Sequence, residues 1–315
     1  MIASPLNYTG GKFRLLPQLL PLFPGDTDTF VDLFCGGCNV GLNAPARQVI
    51  YNDIDPHLIR LYDTLRRLDR ETVFQELEGI IDRWQLSRVS RYGYAHYGCT
   101  GSGGLTDYNR DRYLALRADL NRRLLAGETD DFFYLMFYVA IVYAFNNMIR
   151  YNRRGEYNLP VGKRDFNRRM AEKLSAFLER IQAQDCRFTC QDFRTFDAGG
   201  LGPGDFVYAD PPYLITRAAY NERGGWQDGD ERDLLDFLDG LDARRVRFGL
   251  SNVLRSRGRE NRILLNWLED RRDRYQALRL RYSYANSSYH IKDRSLVTEE
   301  VLIVNYTPEG TQRNL

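Results

Sequence analysis

Lysine is nearly absent from the 315-residue chain: of 44 basic residues only Lys12, Lys163, Lys173 and Lys292 are not arginine. Those bases meet 42 acids, so the chain is no polycation, and any surface for a polyanion has to be a local patch. Cysteine is scarce and odd in number (Cys35, Cys38, Cys99, Cys186, Cys190), which argues against a disulfide framework and for a reducing compartment. A zinc reading of Cys35-x-x-Cys38, Cys186-x3-Cys190 or His96-x-x-Cys99 lacks the second spaced pair that a tetrahedral site needs, so no metal is expected. Cys186 and Cys190 read instead as buried strand residues. His57, His96 and His290 have no triad partner at a recognisable spacing, which leaves nucleophilic catalysis without support. The longest apolar stretch, Phe132 to Phe145, is too short to span a bilayer and carries tyrosines. Pro, Asn and Gly-Gly stand between Met1 and Lys12, where a secretory signal would have an apolar core.

What is present is a chain with 43% apolar and 13% aromatic residues, able to bury a core and of a length that suggests about two domains. Thr29 to Phe34 is an apolar run ending at Gly36-Gly37, a buried strand and turn, after which a helix is expected. Gln48 to Asp53 is a second strand ending on acids, followed by Leu58, Leu61, Tyr62, Leu65 and Leu68 at helical spacing. The same grammar returns late. Cys186 to Cys190 and Phe206 to Ala209 read as strands, Leu234, Leu235, Phe237, Leu238 and Leu241 as a helical stripe, and Val246 to Leu250 as a further strand. Tyr275 to Tyr284 and Glu300 to Tyr306 suggest a closing antiparallel pair. Alternation of this kind implies an α/β fold with a mostly parallel sheet, and strand, glycine turn and acid open a nucleotide-binding sheet.

A mainly helical segment interrupts the pattern, with a Gly/Tyr-rich stretch from Tyr92 to Gly104. We read 66–168 as an inserted domain between 1–65 and 169–315. Its end is basic: Arg150, Arg153, Arg154, Lys163, Arg164, Arg168 and Arg169 face only Glu156 and Asp165.

The most specific signal is Asp210-Pro211-Pro212-Tyr213 at the end of an apolar strand. Ligands of open α/β sheets bind at strand C-termini. Two prolines remove two amide donors and stiffen the turn, leaving a carboxylate, carbonyls and an aromatic face, a set suited to a planar exocyclic amine. An acid about 17 residues past a glycine turn, here Asp53, is suited to ribose hydroxyls. A nicotinamide dehydrogenase would want G-x-G-x-x-G, which Gly36-Gly37-Cys38-Asn39-Val40-Gly41 meets only in part.

Nearly end to end, the sequence resembles the Dam-like (D12 class, alpha-group) DNA adenine N6-methyltransferases. Asn7 to Lys12 is similar to that family's W-A-G-G-K box, Asp32 to Gly37 to its F-x-G-x-G loop, and Asn52-Asp53-Ile54-Asp55 to its N-D-I-N acid. Asp210 to Tyr213 matches its D-P-P-Y, and Glu299 to Tyr306 its E-V-L-I-T-N-Y strand. The resemblance implies a Rossmann-like, mostly parallel seven-stranded methyltransferase sheet with 66–168 as target-recognition domain. It implies S-adenosyl-L-methionine as cofactor, with Tyr8, Lys12, Asp32, Phe34, Gly36, Asp53, Ile54, Asp192, Phe193 and Asp210 about it. Asp210, Pro211, Pro212 and Tyr213 would carry methyl transfer to a flipped-out adenine. Tyr8 stands where Trp is usual, and Cys38 where the second loop glycine falls; a cysteine is expected to take that turn only with negative φ.

Asn146 to Gly162 resembles the family's target-recognition segment, R-Y-N-x-x-G-x-F-N-x-P-x-G. It makes Arg150 the reader of a guanine edge and Asn146 and Asn152 base or phosphate contacts, with Arg153, Arg154 and Lys163 on phosphates. Asn286 to Arg294 is a further candidate DNA contact. The implied partner is double-stranded DNA, with no membrane, a cognate restriction endonuclease in some systems, and a monomer in a bacterial or phage-infected cytoplasm. Two rivals share the scaffold: cytosine-N4 transfer, where Ser usually replaces Asp210, and a catalytically silent DNA-binding protein.

Overall fold

A computed structural model describes residues 1–8, 10–99, 104–216, 225–281 and 298–308. Thr9 of the N-terminal box, part of the Gly/Tyr-rich stretch, and Asn286 to Arg294 lie outside them. The chain forms two compact units, Met1–Gly11 with Asp55–Gln184, and Lys12–Ile54 with Asp185–Leu315.

The second unit holds the sheet. Its strands are β1 (Thr27–Asp32), β2 (Ala46–Asn52), β3 (Asp185–Thr189), β4 (Phe206–Ala209), β5 (Arg247–Ser256), β6 (Arg259–Glu260), β7 (Gln276–Arg279) and β8 (Glu299–Val304). They run in the order β3-β2-β1-β4-β5-β8-β7, with the two-residue β6 paired to β5. β1 to β5 pair in parallel, and β8 lies antiparallel between β5 and β7. The order reverses between β1 and β4, the position where ligands of such sheets sit.

Period-two alternation sorts this unit's core. Val31, Val207, Phe248 and Ile303 face a cluster with Leu234, Leu238, Leu264 and Trp267. Their neighbours Phe30, Phe206 and Tyr208 pack with Phe23 on the other face, at ring distances of 5.2–5.6 Å. The short helix α1 (Leu16–Leu19) precedes β1.

No α-helix follows the glycine turn after β1. Only a 3-10 turn, Gly41–Asn43, occupies the gap, because Pro45 forces Ala44 into the extended region at ψ 137°. Cys190 is exposed, since β3 ends one residue before it.

The first unit is helical: α2 (Pro56–Arg67), α3 (Arg70–Arg83), α4 (Val89–Tyr92), α5 (Thr106–Ala126), α6 (Asp131–Tyr143) and α7 (Arg168–Ala183). The apolar stretch of the sequence is α6, buried from Phe133 to Tyr143 and packed by α2, α3 and α5; a helix apolar all round belongs in a core. The unit extends past 66–168 on both sides because α2 and α7 pack on each other, Tyr62 meeting Phe177 at 5.5 Å. Among the described residues no helix is long and apolar enough to cross a membrane. The sheet unit is completed by α8 (Asp228–Ala243) and α9 (Arg262–Asp270).

Candidate active site and nucleic-acid interface

β1 and β4 deliver their carboxylates to the strand ends on either side of the reversal. Asp32 ends β1 and Asp210 follows β4 directly. Asp32 is buried and accepts the Gly41 amide at 3.0 Å. Burial, with Asp210 and Asp53 nearby, pushes it up to about 7. Gly41 has to be glycine, as a Cβ would meet the Tyr51 ring at 2.4 Å. Asp53 accepts the Gly36 amide at 3.0 Å, closing the glycine loop onto the end of β2.

That loop turns at Gly36 (φ 44°) and at Cys38 (φ 59°). Cys38 thus adopts the left-handed conformation, contrary to the negative φ expected of it. It is over-determined by the Cys38 amide donating to Cys35 at 2.6 Å, by Leu42 donating back at 3.1 Å, and by complete burial.

Asp210 sits in a mesh of charges. Lys12 Nζ lies 2.9 Å from its Oδ1 and 3.7 Å from Glu300 Oε1, on a side chain only 7% exposed. The Tyr213 hydroxyl is 3.0 Å from Asp210 Oδ1 and 3.3 Å from Glu300 Oε1, and Lys12 stands over its ring at 4.9 Å. Burial and the two carboxylates push the Tyr213 phenol far up, so it keeps its proton and donates. Glu300, on β8 opposite Val253, is also raised by burial, although Lys12 opposes the shift. In the sequence Glu300 stands inside the closing strand motif, with no local pattern that assigns it a role. Its signal was an acid beginning an otherwise apolar buried run.

Asp192 and Phe193 are more constrained than expected. Arg194 pairs with Asp192 and also with Asp230 and Asp233 of α8, and it covers the Phe193 ring at 4.6 Å. Phe193 is buried against Phe34 and Trp226, at 5.6 Å from each. Trp226 is fixed in turn by its indole N–H on buried Glu231 at 2.6 Å. Ile54, by contrast, is 67% exposed beside Asp53. Asn52 was also missed: its buried amide donates to Leu33 and Gln191 and accepts from Thr189, tying together the ends of β1, β2 and β3. Tyr8 belongs to the helical unit and Lys12 to the sheet unit.

In the helical unit, 144–163 folds back on itself through the pairs Ala144–Val161 and Tyr151–Tyr157. Asn152 organises the tip: its Oδ1 accepts from Arg154 and Glu156, and its Nδ2 donates to the Glu156 carboxylate. Arg150 donates through Nε to Asn158 Oδ1 at 2.8 Å and through Nη2 to the Asn158 carbonyl. Tyr113, Arg117 and Asn121, at i, i+4 and i+8 on α5, fasten the returning strand at Leu159 and Tyr157. Asn146 (φ 56°), Arg153, Arg154 and Lys163 are exposed. So is Phe145, at 47%, although its amide is pinned to the Pro160 carbonyl at 2.8 Å.

Residues 8–286 match the family described as D12 class N6 adenine-specific DNA methyltransferase. The chain is 37% identical to the Type II methyltransferase M.FokI of Planomicrobium okeanokoites and 36% identical to the modification methylase StsI of Streptococcus sanguinis. Each match covers 97% of the chain but 43% of the relative. It is 27% identical to the DNA adenine methylase of Haemophilus influenzae, over 70% of the chain and 66% of that protein. The chain therefore spans less than half the length of its first two relatives.

Proposed function

The chain belongs to the D12 class N6 adenine-specific DNA methyltransferases, and from that premise we propose that it transfers a methyl group from S-adenosylmethionine to N6 of a flipped-out adenine in a short duplex DNA site. The observation that carries this reading is Asp210. It is a carboxylate at a strand end beside the reversal of the sheet, followed by two prolines and paired with a buried ammonium and a protonated phenol.

The donor set fits the cofactor. Asp53 is an acid held by the glycine loop, Ile54 an apolar surface beside it, and Asp32 and Asp210 carboxylates suited to a cation. Bound there, S-adenosylmethionine supplies an electrophilic methyl group. Asp53 would accept from ribose hydroxyls. Adenine N6 is a weak nucleophile because its lone pair is delocalised. Asp210 and the Pro211 carbonyl would accept its two hydrogens, favouring a localised lone pair and stabilising the charge that develops. Extruding the base costs a few kcal/mol, which stacking on Tyr213 offsets.

Arg150 would read a guanine edge, and Asn146 a base or phosphate. Arg153, Arg154 and Lys163 would neutralise phosphates. Phe145, apolar, exposed and held by the backbone, has the character of a wedge against a base step. In this reading the helical unit recognises the target, the enzyme works as a monomer in a bacterial cytoplasm, and a restriction endonuclease of the same system is a natural partner. The test is incubation with labelled S-adenosylmethionine and unmethylated duplex DNA, then digestion to nucleosides. Label in N6-methyladenosine is the expected result. Label in N4-methylcytidine, or DNA binding without transfer, would overturn it.

A further inference from the structure

Asp210 Oδ1, the atom suited to the incoming amine, is occupied. Lys12 lies on it at 2.9 Å and Tyr213 reaches it at 3.0 Å. A cation there also opposes the positive charge that methylation develops on N6. Lys12 cannot simply leave, because it is 7% exposed and an unpaired buried ammonium is costly.

Glu300 offers the alternative. It is itself buried, with Oε1 3.7 Å from Lys12 Nζ and 3.3 Å from the Tyr213 hydroxyl. Tyr213 has one hydrogen to give, and both carboxylates lie within its reach. We propose that Glu300 is a positioning residue, the second counter-ion to which Lys12 and the Tyr213 hydroxyl pass when the amino group of the target base engages Asp210. A shift of about 1 Å in the ammonium accomplishes the exchange without exposing a charge. The strand β8 that carries Glu300 is anchored in register on β5, so the receiving carboxylate is held on a rigid element.

The inference rests on the methyl-transfer reading, and the two fail separately. A wild-type protein that labels no adenine sinks that reading. A wild type that does label adenine allows Glu300 to be judged by two measurements. In a crystal structure with S-adenosylhomocysteine and the duplex found to be methylated, Lys12 Nζ should lie about 2.8 Å from Glu300 and beyond about 3.5 Å from Asp210. Lys12 still seated on Asp210 beside the bound base would overturn the proposal, and this readout needs no variant to fold. In single-turnover assays Glu300→Gln, which keeps an acceptor for Tyr213 but removes the charge, should lower the rate about tenfold. Its cofactor and DNA dissociation constants should stay within about twofold of wild type, and Glu300→Asp should recover part of the rate. A Glu300→Gln rate equal to wild type, or a loss confined to cofactor affinity, would refute it.

Discussion

At the strand ends of the sheet unit, Lys12, Asp210, Tyr213 and Glu300 are largely shielded, and Lys12 and the Tyr213 hydroxyl each lie 2.9–3.7 Å from both carboxylates. In the 144–163 hairpin Arg153, Arg154 and Lys163 are exposed, and the polar contacts that order it run mostly to backbone. The first arrangement makes each charge strong through low dielectric and leaves little tolerance for losing one. The second leaves Arg153, Arg154 and Lys163 hydrated and individually replaceable, their effect on a polyanion being collective and sensitive to salt. Chemistry on a base needs the former, and reading a long charged surface suits the latter.

The contrast is broken most directly at Asp210. Asp210→Ala should lower methyl transfer at least about a thousandfold while DNA affinity, read by fluorescence anisotropy, changes little. A residual rate within tenfold of wild type would mean that the amine acceptor lies elsewhere.

Asp32 gives the next largest effect. Its folded pKa of about 7 stands above the ordinary 3.8, so between those values the folded state keeps a proton that the unfolded state has lost. Its contribution is therefore intact below about pH 4 and declines as pH rises to 7. Asp32→Asn keeps an acceptor for Gly41 but cannot ionise. Its stability relative to wild type should grow by about 2–4 kcal/mol from pH 4 to pH 8 in urea titrations. A constant difference across that range would show that Asp32 is not the group concerned.

The hairpin predicts smaller effects of two kinds. Arg150→Ala should reduce discrimination at one base pair by about 1–3 kcal/mol in competition with substituted duplexes. Arg153→Ala should weaken all duplexes alike and lower the salt dependence by about one ion. Identical behaviour of the two variants would remove the distinction between reader and phosphate contact.

The smallest effect lies in the helical core, where the buried Tyr138 hydroxyl has no hydrogen-bond partner among the described residues. Tyr138→Phe should raise stability by about 1 kcal/mol in thermal melts without altering transfer.

Much of the sheet was legible because strand burial follows a period of two. The runs at 29–34, 48–53 and 206–209 carry their own boundaries in glycine, acid and proline. The helix expected after Gly36-Gly37 failed because Pro45 leaves too short a span for one. The left-handed Cys38 was misjudged because burial and two backbone hydrogen bonds override a local preference that favours glycine. Asn152 looked like a contact residue, yet its amide closes a turn, a role that only the positions of Arg154 and Glu156 in space reveal.

What the sequence by itself determined was the grammar of the fold, the strand-end acids and the proline-stiffened Asp210, all of which depend on neighbours close along the chain. The tertiary structure alone decided that Lys12 and Glu300, 288 residues apart, meet beside the residues after β4, Lys12 on Asp210 and Glu300 on the Tyr213 hydroxyl. It alone decided, too, that α5 fastens the hairpin. Pairings of that kind arise when distant elements are packed into register, and no local pattern records them.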